Sequence, residues 1–179
     1  MTYENVLALR VSLETGLRID DVLSLKPESL RGRTICGIAE KTGKKFKKVV
    51  SADLAKRLKL VQGQYFIFPH RTKAKEHRTR QAVWKNLKKA AKVVGVQLNA
   101  APHSARKTYA VKLFHDSGVE AVQKELQHDR LSTTMLYAFA DVLTKNTPEN
   151  RTNVLNPEII DTFAEIVAEK VVKKIEPLL

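Results

Sequence analysis

Over residues 3 to 15, Val6, Leu9 and Leu13 recur at helical spacing, and Gly16 stands where a left-handed cap would close the helix. Asp20 and Asp21 open a second short helix running to Leu25, since acids suit a helix N-terminus, and Lys26-Pro27 ends it. The pattern then changes. Thr34 to Ala39 is an apolar run, Lys41-Thr42-Gly43-Lys44 has the chemistry of a turn, and Phe46 to Val50 returns to aromatic and β-branched character. This predicts two antiparallel strands, with a third near Ser29 to Arg31. Ser51 is placed to cap a helix through Leu60, and Gln62-Gly63-Gln64 breaks it. Tyr65 to Pro69 is too short for more than a buried connector or minor strand, and His70 to Arg80, without apolar periodicity, predicts an exposed loop.

Val83, Trp84, Leu87, Ala91 and Val94 form the next apolar stripe, closed by Gly95, and on that spacing Trp84 belongs to the core. Ala110, Leu113 and Phe114 mark a helix that starts near His103, with Arg106 on nearly the same face. Residues three apart share a face, so His103 and Arg106 can address one anion at the positive end of that helix. At the far end, Asn156-Pro157-Glu158 reads as an N-cap, a first-turn proline and an acid, and leads a helix carrying Ile160, Phe163, Val167 and Val171. The expected fold class is α+β and mainly α: a helical domain with a small antiparallel sheet.

Composition narrows the function. A chain of 179 residues that is 43% apolar suits one domain with a sizeable core. No run of 18 apolar residues appears, so no membrane association is expected, and the polar, acidic start does not resemble a signal peptide. Cys36 is the sole cysteine, which excludes an internal disulfide, fits a cytoplasmic setting, and predicts an inert buried thiol. Against 19 acidic residues stand 32 lysines and arginines, giving a formal charge of +13, and they crowd into Lys41 to Lys48, His70 to Arg80 and Lys85 to Lys92. A lopsided basic surface is the footprint of a polyanion binder. His70 and His77 have no cysteine or paired carboxylate nearby, so no metal site is expected from them.

Arg18 just past a glycine turn, Lys41 at a hairpin tip, the pair His103 and Arg106, then His128 and, nine residues on, Tyr137: this ordered set resembles the tyrosine recombinase, or phage integrase, family over nearly the whole chain. Lys107 and Gln127 depart from common family residues at positions without chemistry, and Asp21 stands where the family's first box often has glutamate; it is read as a buttress for Arg18.

The resemblance implies a site-specific recombinase that cleaves and rejoins double-stranded DNA without metal, cofactor or ATP. Tyr137 would attack the scissile phosphate to give a 3′-phosphotyrosyl link and a free 5′-hydroxyl. Arg18 and Arg106 would present planar forks to the nonbridging oxygens. His103 and His128 would complete the cradle, with His103 also placed to shuttle the tyrosine proton, and Lys41 would protonate the departing 5′-oxygen. Residues 1–156 would form the catalytic domain, while residues 157–179 would form a helix that, on the resemblance, is exchanged between protomers of a homo-oligomer, a tetramer on DNA; its amphipathic pattern alone equally allows it to fold back on its own domain. On the same resemblance the family's amino-terminal core-binding domain would be absent from the chain, whether as an excised domain or a naturally short protein. A type IB topoisomerase and a non-enzymatic DNA-binding relative are the alternatives; the six residues in order favour the recombinase.

Overall fold

The computed structural model describes residues 1–93 and 103–126. Helix α1 (Tyr3–Thr15) is closed by Gly16 in the left-handed conformation, φ 69°, with its N–H on the Ser12 carbonyl. The chain continues through α2 (Ile19–Leu23), a 3₁₀ turn at Pro27–Ser29, and strands β1 (Leu30–Arg31), β2 (Thr34–Ile38) and β3 (Lys45–Val49). Three helices follow: α3 (Ala52–Val61), α4 (Arg80–Val93) and α5 (His103–Leu126). The sheet has the order β1-β2-β3 and is antiparallel throughout, with Leu30 opposite Ile35 and Ile35 opposite Lys48. The architecture is mainly helical with one small antiparallel sheet, as expected from the sequence.

An apolar core joins α1 to α4 and the sheet. Leu7 and Val11 of α1 meet Val22 of α2, Ile35 of β2, Leu54 and Leu58 of α3, and Phe68 of the connector. Each such side chain contributes roughly 1.5–3 kcal/mol when fully buried, which makes this core the main source of stability. Capping contributes locally: the Ser51 hydroxyl accepts the Leu54 N–H at 3.2 Å, and the Glu14 carboxylate accepts the Ser51 N–H at 2.7 Å. Ile67 and Phe68 are fully buried, with the Ile67 N–H on the Leu25 carbonyl at 2.8 Å, so the short apolar segment is a buried connector.

Three expectations change. The buried face of α1 is not Val6, Leu9 and Leu13 but Leu7, Ala8 and Val11 together with Asn5, Ser12 and Thr15. Most of their polar atoms are paired: Ser12 donates to the Leu17 carbonyl at 2.7 Å, Thr15 to the Val11 carbonyl at 2.6 Å, and the Asn5 side-chain oxygen accepts from Arg78 at 3.1 Å, whereas Asn5 Nδ2 is buried without a hydrogen bond. Trp84 is 38% exposed, because α4 turns Val83, Leu87, Ala90 and Ala91 inward and leaves the indole on the flank. The basic segment after Pro69 is an exposed loop, as expected, and it folds back on itself, the His70 N–H reaching the Glu76 carbonyl and the Arg78 N–H the Phe68 carbonyl. Arg78 then fastens it to α1 through Thr2 and Asn5. Cys36 is only half-buried.

Helix α5 also differs from a single rod. Gly118 has φ 79° and ψ −178°, a conformation open essentially to glycine alone, and it divides α5 into two arms. The second arm packs back on the first, bringing Val122 and Leu126 onto Ala110 with Tyr109, Leu113 and Phe114 around them.

Candidate active site

Arg18 precedes α2 in an extended conformation, and its carbonyl accepts the Val22 N–H at 3.0 Å, so the first turn of α2 fixes where its backbone leaves the glycine turn. Lys41 occupies the turn between β2 and β3. That turn is closed by the Ala39 N–H on the Lys44 carbonyl at 2.9 Å and the Gly43 N–H on the Ala39 carbonyl at 2.8 Å. Although 23 positions separate them in sequence, Arg18 and Lys41 line one open cleft of about 1020 Å³. Ile19, Asp20, Asp21 and Glu40 line it too, together with His77, Thr79, Arg80, Gln81 and Trp84.

Asp21 ties α2 to the lysine turn. Its carboxylate is 3% exposed, and Oδ1 accepts the Glu40 backbone N–H at 2.8 Å, one residue before Lys41. Its Oδ2 is buried without a hydrogen bond, leaving negative charge beside the cleft at a real desolvation cost. Asp21 therefore braces the lysine turn, where the sequence reading had it brace Arg18. Arg80 makes a loose ion pair with Asp20 at 3.6 Å, and the Lys88 ammonium lies 4.2 Å from the centre of the Trp84 ring, an exposed cation–π contact.

Arg106 holds a different position. It is 4% exposed, and its two terminal nitrogens donate to the carbonyls of Gly16, at 2.6 Å, and Leu126, at 2.8 Å. The guanidinium thus ties the glycine turn before Arg18 to the last residue of α5. Close approach at this point requires Gly16, since a Cβ there would lie 2.5 Å from the Tyr109 ring and 2.7 Å from Leu126. His103 begins α5 one turn before Arg106. His128, Tyr137 and the helix read over residues 157–179 lie outside the described residues.

The motif reading did not single out the cleft wall from His77 to Trp84. It also missed Lys48, whose ammonium donates to the Glu125 carboxylate at 2.5 Å and to the Glu125 main-chain carbonyl at 2.9 Å. A signal was present: Phe46, Lys48 and Val50 share the buried face of β3 while Lys45, Lys47 and Val49 are exposed, so Lys48 is a charge at an apolar position. Tyr109 donates to the same Glu125 oxygen at 3.2 Å, and burial, followed by the neighbouring carboxylate, pushes its phenol up to about 12.

The fold is that of known DNA recombinase structures. XerH site-specific recombinase bound to palindromic difH substrate superposes with a TM-score of 0.63 at 20% identity, covering 79% of this chain and 44% of that one. The catalytic domain of bacteriophage HP1 integrase superposes with a TM-score of 0.57 at 16% identity, covering 85% of this chain and 96% of that one. In sequence, tyrosine recombinase XerD of Listeria monocytogenes serotype 4b (strain F2365) is 30% identical over 151 residues, 75% of this chain and 50% of the relative. The chain therefore spans about half the length of that curated relative. Residues 2–142 match the sequence model of the phage integrase family, which takes in Arg18, Lys41, His103, Arg106, His128 and Tyr137, and the chain belongs to that family.

Proposed function

We propose that this chain is the catalytic domain of a site-specific recombinase that cleaves and rejoins duplex DNA through Tyr137. The observation that carries the reading is the meeting of Arg18 and Lys41 in one open cleft, with Asp21 bracing the lysine turn. A planar fork and a point-charge ammonium lining one cleft suit the two needs of phosphoryl transfer, stabilising charge on the nonbridging oxygens and delivering a proton to the leaving oxygen. The formal charge of +13 supplies the long-range attraction for a duplex.

In the proposed reaction the Tyr137 hydroxyl attacks phosphorus in line. The new bond is P–O(tyrosine), the bond broken is P–O5′, the tyrosine proton passes to His103, and Lys41 protonates the 5′-oxygen. Arg18, Arg106 and His128 hold the nonbridging oxygens. Because one phosphodiester replaces another, attack by the 5′-hydroxyl reverses the step with no external energy source. Arg106 has a second role in this scheme, since its bonds to Gly16 and Leu126 fix the plane of its fork. Residues 157–179 are assigned to a helix that docks on a neighbouring protomer and so links cleavage to assembly of a tetramer on DNA; deleting them should leave a folded, DNA-binding chain that fails to form a synaptic complex.

The test is a nicked suicide duplex carrying candidate attachment sites, scored for a covalent protein–DNA adduct. Wild type should form the adduct and Tyr137→Phe should not, while both bind the duplex to a similar extent. An undiminished adduct in Tyr137→Phe would overturn the assignment of the nucleophile.

A further inference from the structure

Two main-chain carbonyls at the end of α5 accept from cations in separate parts of the chain: Leu126 O from Arg106 and Glu125 O from Lys48. Lys48 makes a second bond. It is 9% exposed, and an ammonium so buried is costly unless paired. The Glu125 side chain supplies the pairing charge, and the Tyr109 hydroxyl from the first arm closes on the same carboxylate oxygen. Strand β3, the first arm and the second arm of α5 therefore converge on one carboxylate.

We propose that Lys48, Glu125 and Tyr109 form a positioning latch that sets the Lys41 hairpin against the helix bearing His103 and Arg106. The inference rests on the recombinase reading and names residues beyond the six assigned to the chemistry. Lys48 lies seven residues after Lys41 on the strand that leaves its turn, and that strand is held in register to β2 from Thr34 opposite Val49 to Ile38 opposite Lys45. A shift of Lys48 therefore carries the hairpin with it. The exposed neighbours Lys45 and Lys47 face the opposite side of the sheet and cannot replace Lys48. Asp21 fixes the turn to the α2 side; the latch fixes the same hairpin to the α5 side. With both in place, the lysine and the second arginine are set relative to each other through side chains that need not touch DNA.

Two measurements on the full chain test this. Lys48→Met keeps the apolar stem and removes the charge, and Glu125→Gln keeps the side chain's shape with a weaker acceptor. Amide hydrogen exchange should rise together in residues 39–50 and 119–126 in both variants, by about tenfold for loss of a local tie, with α3 unchanged. Cleavage of an ordinary phosphodiester in the suicide duplex should fall about tenfold, as expected when contacting partners are uncoupled, and a 5′-phosphorothiolate, whose sulfur leaves without a proton, should restore most of the rate. Lys41→Ala on the same pair of substrates provides the reference for a lost acid. Exchange that rises in only one of the two segments, or in neither, would overturn the latch. Equal losses on both substrates would overturn its positioning role. No adduct from wild type, with joint exchange intact, would overturn the recombinase reading and the positioning role with it, while the physical tie would stand.

Discussion

The platform built from α1 to α4 and the sheet is fastened differently from the α5 hairpin. The platform has one continuous apolar core, in which Leu23, Leu54, Leu58, Ile67 and Phe68 lose essentially all contact with solvent. The α5 hairpin has a small apolar seam of Ala110, Val122 and Leu126, with Tyr109 closing on Glu125 inside the hairpin; it packs closely against the end of α1 at Gly16, and directional bonds from Arg106 to Gly16 and from Lys48 to Glu125 join it to the platform. Apolar burial is strong and non-directional, whereas charge-assisted bonds are geometrically demanding. The platform therefore sets stability, and the hairpin sets alignment. This division suits a site in which residues from both regions must reach one phosphate.

The platform should be the harder half to damage without unfolding the chain. Leu58→Ala removes a fully buried side chain of α3 and should cost about 2–5 kcal/mol, read as a lower urea midpoint with the same slope. A loss below about 1 kcal/mol would mean that α3 repacks and that the core is less continuous than described.

Gly118→Ala sharpens the contrast from the other side. Nothing lies within 4 Å of the added Cβ, so the penalty is purely the backbone conformation, about 1–3 kcal/mol. Hydrogen exchange should rise over residues 103–126 while α3 stays protected. Equal loosening of both regions would contradict the division between them.

The smallest effect is on pH dependence. Burial first, then the Glu125 carboxylate, raises the Tyr109 phenol from 10 to about 12. Between those values the folded chain keeps a proton that the unfolded chain has lost. The group's contribution is therefore complete below pH 10 and is lost as pH rises through about 12. The stability of wild type relative to Tyr109→Phe should fall across that window, measured as the difference in urea midpoints. A difference that is flat with pH would mean that Tyr109 does not keep its proton against Glu125.

Local chemistry made some parts of this molecule readable from the sequence. The Lys41-Thr42-Gly43-Lys44 turn, the Ser51 cap and the Gly16 cap each depend on a few adjacent residues, and each is present where the sequence put it. The stripe of α1 was misread because Asn5, Ser12 and Thr15 occupy buried positions, where Ser12, Thr15 and the Asn5 side-chain oxygen find partners that periodicity does not reveal. Trp84 was misread because an aromatic beside an apolar stripe looks like a member of it, although the neighbouring cleft leaves it exposed. The bend at Gly118 and the pairing of Lys48 with Glu125, 77 residues away, are tertiary facts. Only the misplaced charge on the inner face of β3 hinted at them. The six candidate site residues were legible as an ordered set with local contexts. That Arg18 and Lys41 share a cleft while Arg106 braces the glycine turn required the fold.

The central claim, that this cleft serves a tyrosine nucleophile, is tested most directly by locating the DNA on the protein. The chain has four tyrosines, Tyr3, Tyr65, Tyr109 and Tyr137. Adduct trapped on a suicide duplex can be digested with protease and nuclease, and the nucleotide-bearing peptide sequenced by mass spectrometry. The account predicts one modified peptide, linked through Tyr137 to a 3′-phosphate. A link through Tyr3, Tyr65 or Tyr109, or one to a 5′-phosphate, would contradict it.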